Sequence, residues 1–164
     1  MIQPSHSPND PPFRPSLRGC VCRDLRMARL LESCRTDALY RATANTCRAL
    51  VPDADGTPLC TLLEELAFDA NEHFRLLGSL ISALGGTLGL TARICVDMGL
   101  LSTRLESIAA LMLEDALMEA KRSIDGYQNA LGMTGDRVVR SVLLYLLSDE
   151  ERHIEQIQKA RELL

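Results

Sequence analysis

The chain has 164 residues, which suits one domain with a substantial hydrophobic core, and 46% of its residues are apolar. Aromatic residues make up only 4%, and Leu and Ala are far more frequent than Val and Ile, which favours helices over strands. The net charge of −4 argues against nucleic acid as a partner, because phosphate binding requires a basic surface.

The N-terminal segment, residues 1–26, is predicted to be disordered, because it is rich in proline and lacks a sustained apolar periodicity. The single folded domain is predicted to span residues 27–164. The proline-rich N-terminus lacks the apolar region of a secretory signal, and no apolar run in the chain approaches the roughly 18 residues that a membrane span needs. We therefore expect a cytoplasmic protein that does not use a membrane as a partner.

Four segments repeat apolar residues at helical spacing and are bounded by turn sequences. They are residues 24–50, 58–84, 102–131 and 136–163. Short turns containing Pro or Gly join the first helix to the second and the third to the fourth, which predicts two antiparallel pairs. The stretch 87–101 is too long for a tight turn and indicates a crossover. The predicted fold is therefore an all-α, antiparallel four-helix bundle with a long crossover between its second and third helices.

The fourth helix carries the most informative pattern, Glu150-x-x-His153, on an otherwise apolar face. Residues three apart lie on the same side of a helix, so both side chains can bind one metal cluster. Burying a carboxylate and an imidazole without partners costs several kcal/mol, which a metal ion would offset. The alternative is a solvated run of charge, since Asp149, Glu151 and Arg152 surround the motif.

The second helix repeats the apolar pattern of the fourth when His73 is aligned with His153. In this alignment Ala70 takes the place of Glu150, so one carboxylate of the duplicated motif is missing. Asp69 precedes His73 by four residues and is a candidate to replace it, although it lies about 40° from the ideal direction on the helix.

The first and third helices each offer one further carboxylate. Glu114 has apolar neighbours on its face of the third helix, where a lone Glu is uncommon; the alternative is a salt bridge, for instance with Arg35 or Lys121. In the first helix the choice is between Glu32 and Asp37. The turn between the first two helices places Asp37 at the height of the second-helix histidine, and Asp37 lies on the apolar stripe, whereas Glu32 looks solvated. Asp37 is therefore the predicted residue.

Together these patterns resemble the ferritin-like superfamily, and in layout they are most similar to bacterioferritin and to the erythrin domain of rubrerythrin. The segment DEERHI, residues 149–154, is similar to the fourth-helix motif of that family. The segment FDANEHFRLLGSLISALGG, residues 68–86, resembles its second helix with Ala70 in place of Glu. Glu114 followed by Tyr127 resembles its third helix, and Asp37 would stand in for the Glu of its first.

The resemblance implies a metal site in the bundle core, with two Fe ions, Fe with Mn, or one ion only. The ligands would be Asp37, His73, Glu114, Glu150 and His153, with Asp69 as a substitute for the missing Glu. Such a centre would react with oxygen or peroxide, as an oxidase or a peroxidase. The alternative is a degenerate bundle that has lost the metal and acts as an interaction or structural protein. The oligomer we expect is a homodimer.

Overall fold

The computed structural model describes residues 17–35, 40–41, 43–45, 58–88 and 105–162. Within these ranges the regular structure is helical, with four long helices. They are α1 (Leu17–Cys34), α2 (Pro58–Ala83), α3 (Leu105–Met133) and α4 (Arg137–Glu162). The prediction of an all-α bundle is confirmed for this part of the chain. None of the described helices combines the length and the apolar character needed to cross a membrane.

The four helices form a ring in the order α1, α2, α4, α3, because α1 and α4 each pack against both α2 and α3. Helices α1 and α2 are antiparallel. Arg26 of α1 donates to the backbone carbonyl of Thr87, beyond the end of α2, whereas Arg29, further along α1, reaches the carbonyl of Phe74. Later residues of α1 thus meet earlier residues of α2.

Helices α3 and α4 are antiparallel as well, because Arg140, in the first turn of α4, donates to the backbone carbonyl of Leu131 at the end of α3. Helices α2 and α4 are also antiparallel, because Asp69 and His73 of α2 contact residues of α4 in reverse order. Helices α2 and α3 therefore run in the same direction. The end of α2 and the start of α3 lie at opposite ends of a bundle roughly 39 Å long, because α2 has 26 residues that rise about 1.5 Å each.

Helix α1 begins at Leu17, earlier than the sequence pattern predicted, so the division at residue 26 falls inside this helix. Val21, Leu25 and Ala28 are buried at helical spacing, in the same apolar cluster as Leu77 and Ile81 of α2. This stripe packs the first turns of α1 on the bundle, so a helix occupies residues 17–26 of the segment that was predicted to be disordered.

The described residues that follow α1 are helical but include π-helical geometry, within the range 24–50 for which one helix was predicted. Arg35 and Tyr40 have the wider backbone hydrogen bonding of a π-turn, and residues 43–45 are helical again. A π-turn inserts an extra residue into the helical repeat and so shifts which face points inward. Glu32 and Arg35 are buried before this shift, and Tyr40 and Ala44 are buried after it.

Two apolar clusters fill the bundle, and a polar layer lies between them. One cluster includes Tyr40, Ala44, Cys60, Leu63, Leu66, Leu113, Leu117 and Ile157. The other includes Val21, Leu25, Leu77, Ile81, Tyr127, Leu143 and Leu146. The layer between them holds buried charged side chains, among them Glu32, His73 and Glu150. Apolar packing on both sides keeps bulk water away, so these charges interact in a medium of low dielectric constant.

Candidate metal centre

Three buried side chains from three helices meet in the polar layer: Glu32 of α1, His73 of α2 and Glu150 of α4. Each of these residues is 0% exposed, and one ligand atom of each lies within 4.8 Å of the other two. His73 and Glu150 lie on the buried stripes of their helices, next to Ala70 and Leu146 respectively. We call these three residues the inner cluster.

The spacing of the donor atoms fits a metal ion. Nδ1 of His73 lies 3.6 Å from Oε1 of Glu32 and 3.6 Å from Oε1 of Glu150. On the other side of Glu150, its Oε2 atom lies 3.6 Å from Nδ1 of His153. Ligand atoms that bind one ion at about 2.0–2.2 Å are roughly 3.0–3.6 Å apart from each other, so these distances are close to those of coordinated ligands.

Two of these buried atoms lack the partner that burial ordinarily requires. Among the described residues, neither Nδ1 of His73 nor Oε2 of Glu150 makes a hydrogen bond. A buried polar atom without a partner costs about 1–3 kcal/mol, and a bound ion would remove that cost. Imidazole and carboxylate groups together are ligands that Fe, Mn and Zn accept. The residues present therefore fit a divalent transition metal.

Each of the two histidines is held by an aspartate of the other helix. Nε2 of His73 lies 2.9 Å from Oδ2 of Asp149, and Nε2 of His153 lies 2.9 Å from Oδ2 of Asp69. The pairs are reciprocal, because α2 and α4 each carry an Asp-x-x-x-His sequence and run antiparallel. An ionised aspartate can only accept a hydrogen bond, so Nε2 of each ring donates, and Nδ1 faces the inner cluster.

Arg152 closes the outer side of the polar layer. Its Nε donates to Oδ1 of Asp149 at 3.1 Å, and its Nη2 donates to Oδ2 of Asp69 at 2.9 Å. Burial would raise the pKa of Asp149, but His73 and Arg152 hold it below its usual value. Asp69, Asp149 and His153 also offer ligand atoms within 4.8 Å of one another. Because both carboxylates already bind an imidazole and a guanidinium, we interpret this outer group as support for the histidines.

A buried arginine contacts both carboxylates of the inner cluster. Arg35 is 2% exposed, and its Nη1 donates to Oε1 of Glu32 at 3.0 Å and to Oε1 of Glu150 at 2.7 Å. Its Nη2 donates to Oγ of Ser123 at 3.2 Å, and its Nε lies 3.5 Å from Oε2 of Glu119. Burial lowers the pKa of Arg35, but Glu32 and Glu150 outweigh burial and raise that pKa well above its usual value, so the guanidinium stays charged.

The same carboxylates set the charge of His73. Burial lowers the pKa of its imidazole, but Glu150 and Glu32 outweigh burial and raise this pKa to about 10. Burial would raise the pKa of Glu150 too, yet Arg35 and the two histidines hold it well below its usual range. At neutral pH His73 is therefore protonated in the metal-free protein, and an ion must displace a proton to bind Nδ1.

The structure brings four of the predicted site residues together, namely His73, Glu150, His153 and Asp69. Asp69 was expected as a substitute ligand. It hydrogen-bonds the outer nitrogen of His153 instead, so it acts on the inner cluster only through that ring. The angular offset of Asp69 from the ideal ligand direction is consistent with this position beside the cluster, where it contacts His153 of α4.

Glu114 does not join the site. Its side chain is 51% exposed and pairs with Arg161 of α4 at 2.7 Å, so the salt-bridge alternative describes this residue, with a different partner from the two considered. Among the α3 residues whose burial the structure describes, the buried stripe includes Leu113, Ala116, Leu117, Ala120, Ser123, Tyr127 and Ala130. Position 114 lies one residue outside this stripe, which explains both its apolar neighbours and its exposure.

Helix α1 contributes Glu32, and the interpretation of Glu32 as solvated is wrong, because this residue is fully buried. Asp37, the predicted residue, lies outside the described residues. Sequence reasoning also missed Arg35. The signal for Glu32 and Arg35 was the apolar stripe that begins at Val21 and continues to both residues at helical spacing. It is recognised when the helix is extended towards the N-terminus, to its start at Leu17.

The geometry of the site is the basis for assigning a function. No family model matches the chain, and no significant match was found among curated proteins or among solved structures. The resemblance to the ferritin-like superfamily therefore stays a prediction, and the assignment rests on the buried Glu, His and Arg side chains themselves.

Proposed function

We propose that the protein binds one divalent transition-metal ion, Fe or Mn, in the core of its helical bundle. The ligands are Glu32, His73, Glu150 and His153. The observation that carries this proposal is the buried Nδ1 atom of His73, which faces both glutamates and makes no hydrogen bond within the described part of the chain. The other ring nitrogen is fixed by Asp149, as the outer nitrogen of metal-binding histidines ordinarily is.

The arrangement of the helices supports a bundle of the ferritin-like kind. Helices α2 and α3 run in the same direction, as the second and third helices do in ferritin-like folds. Glu150 and His153 of the predicted motif both lie in the core. One carboxylate of a two-metal site is missing, since Ala70 replaces one Glu, and Glu114 of α3 is exposed and paired with Arg161. We therefore propose one ion in place of the di-iron or Fe–Mn pair.

The chemistry follows from how the chain would hold such an ion. Tyr127 donates its hydroxyl to Oε1 of Glu32 at 3.2 Å and so orients that carboxylate, while Asp149 and Asp69 orient the two imidazoles. The apolar clusters above and below exclude bulk water. When bound, Fe or Mn would supply one-electron chemistry towards oxygen or peroxide. We therefore extend the proposal to an oxidase or peroxidase activity, in a cytoplasmic homodimer.

A second candidate function follows from Arg35. Because its guanidinium donates to both glutamates, the bundle can neutralise its buried carboxylates without an ion. The protein would then act through its surface, as an interaction or structural protein. Removing one partner of a buried ion pair costs about 3–5 kcal/mol, so Arg35 would in that case serve stability alone.

Metal binding by matched variants tests the first proposal. Metal-free protein is titrated with Co²⁺, whose visible spectrum reports coordination by imidazole and carboxylate, and the metal content is measured after purification without chelator. Glu150→Gln removes a ligand charge at nearly constant size, and Glu151→Gln is the control, since Glu151 is exposed at the next position. We expect about one ion per chain in the wild type and in the control, and no bound ion in Glu150→Gln.

Two other outcomes would contradict this proposal. A wild-type protein that binds neither Co²⁺ nor any metal from the cell would favour the metal-free bundle. Binding that survives Glu150→Gln would place the ion outside the inner cluster.

A further inference from the structure

We propose that Arg35 is an internal competitor of the metal ion, and that binding of the ion transfers the Arg35 guanidinium from Glu32 and Glu150 to Glu119. This inference rests on the metal site proposed above and deepens it by naming what regulates access to that site. It assigns a function to Glu119, which is not part of the inner cluster.

The ion and the guanidinium need the same atoms. Nη1 of Arg35 donates to Oε1 of Glu32 and to Oε1 of Glu150, and these are the two oxygens that lie nearest to Nδ1 of His73. A guanidinium has five N–H donors, no acceptor and a permanent positive charge, so Arg35 cannot itself coordinate the metal ion. Two cations bound to the same oxygens would repel each other in a low-dielectric layer. Occupation by one therefore excludes the other.

A second partner for Arg35 already lies on its other side. Nε of Arg35 is 3.5 Å from Oε2 of Glu119, which is close enough for an ion pair. Oε2 of Glu119 is buried and makes no hydrogen bond within the described residues, so this oxygen can accept a hydrogen bond from Arg35. Ser123, one turn further along α3, holds Nη2 of Arg35 at 3.2 Å. A rotation of the long Arg35 side chain towards α3 would thus keep its charge paired.

The backbone around Arg35 suits such a movement. Arg35 follows the last residue of α1 and has π-turn hydrogen bonding, so the regular helical ladder is already interrupted there. Interruptions of this kind are frequent at functional sites. Only the molecules in which Arg35 has left Glu32 and Glu150 can then bind the ion. The apparent Kd for the ion equals the intrinsic Kd divided by the fraction of such molecules.

Titrations with Co²⁺ of four proteins test this competition: the wild type, Arg35→Gln, Glu119→Gln and the double variant. Arg35→Gln removes the competing charge and should bind Co²⁺ at least about tenfold more tightly than the wild type. Glu119→Gln removes the second partner of Arg35 and should bind at least about fivefold more weakly. Arg26→Gln is the matched control on α1, because Arg26 is exposed and contacts Thr87 beyond the end of α2, away from the inner cluster.

The double variant separates transfer of Arg35 from a simple attraction between Glu119 and the ion. If Glu119 acts by receiving Arg35, the Glu119→Gln change has no effect once Arg35 is Gln, whereas direct attraction would persist in that background. A persistent effect would overturn the transfer to Glu119.

The outcomes for this inference and for the metal site are distinguishable. Equal affinity in the wild type and in Arg35→Gln would overturn the competition while leaving the metal site intact. Absence of binding in all four proteins would overturn the metal site itself. Should Arg35→Gln fail to fold, which circular dichroism would reveal, Arg35→Met removes the same charge and takes its place in both the single and the double variant. An unchanged affinity in Glu119→Gln would also overturn the inference.

Discussion

At the scale of single residues, the two imidazoles of the polar layer are fixed in direction before any ligand arrives. The rings of His73 and His153 lie 5.7 Å apart, centre to centre, and are inclined by only 29° to each other. Each ring is anchored through Nε2 to an aspartate of the opposite helix. Neither imidazole can turn without breaking that contact, so both Nδ1 atoms are held ready at the inner cluster. Preorganisation of this kind spares a ligand the cost of ordering the site.

His73 should make the metal-free protein less stable as the pH rises. The pKa of its imidazole is raised from 6.5 to about 10 on folding. Between these two values the folded state holds a proton that the unfolded state has lost, so unfolding is favoured by raising the pH. The contribution of His73 to the free energy of unfolding should be fully present below about pH 6.5 and should fall by at most about 1.4 kcal/mol per pH unit towards pH 10.

Urea denaturation of chelator-treated protein at several pH values between about 6 and 10 measures this slope. His73→Gln is the reference, because it lacks the titrating ring but keeps every cysteine and tyrosine whose own ionisation affects both proteins. The wild type should lose stability more steeply than the variant over this range. Parallel slopes would show that His73 has no raised pKa in the folded protein.

At the scale of the helices, the elements with strong local signals were predictable from the sequence. Helix α2 begins at Pro58, as predicted from a proline suited to the first helical position. It ends before Gly85, whose φ of 74° is the left-handed conformation that glycine adopts readily after a helix. Helix α4 begins after Asp136, whose Oδ1 accepts from the backbone N–H groups of Val138 and Val139. Each of these boundaries depends only on residues close by in the chain.

The first helix and its charged residues were less predictable, because their cause lies in tertiary structure. Burial of Glu32 depends on contacts with Arg35, Tyr127 and His73, which come from three different parts of the chain. The π-turn after α1 changes the inward face, so extending one periodicity to residue 50 could not identify the buried carboxylate. Glu114 was predicted to lie in the core because its neighbours on the helix are apolar, but its side chain is exposed. Apolar neighbours alone therefore do not identify the inward face of a helix.

The start of α1 can be tested by removing one of its core side chains. Leu25 is 1% exposed and packs in the apolar cluster with Leu77 and Ile81, so Leu25→Ala should lower the free energy of unfolding by about 2–5 kcal/mol. Met27→Ala is the control, because Met27 is 59% exposed on the same helix and should change stability by less than about 0.5 kcal/mol. Urea denaturation measures both. Equally small losses would mean that the first turns of α1 do not pack on the bundle.

At the scale of the whole molecule, the polar layer is where the two halves of the chain meet. Glu32 and His73 come from the first pair of helices, whereas Glu150 and His153 come from the last helix. The apolar clusters on either side also draw on both halves. A charge that holds the layer together therefore acts on the entire bundle. In the metal-free protein Arg35 performs this function by bridging α1 and α4.

A metal ion bound to the same layer should consequently stabilise the bundle as one unit. A ligand that binds only the folded state raises the free energy of unfolding by about 2.7 kcal/mol when its concentration is 100-fold above its Kd. Urea denaturation with and without Mn²⁺ should show this rise with an unchanged slope m, because the surface exposed on unfolding stays the same. Glu151→Gln should show the full rise, and Glu150→Gln should show none.

The slope and the variant together identify where the ion acts. A rise that persists in Glu150→Gln would mean that Mn²⁺ binds exposed carboxylates, which are common on these helices, and that the inner cluster stays with Arg35. A rise accompanied by a smaller m would mean that the ion stabilises only part of the bundle, since m scales with the surface exposed in the transition. Only a rise that requires Glu150 and leaves m unchanged fits an ion that joins both halves of the chain through the polar layer.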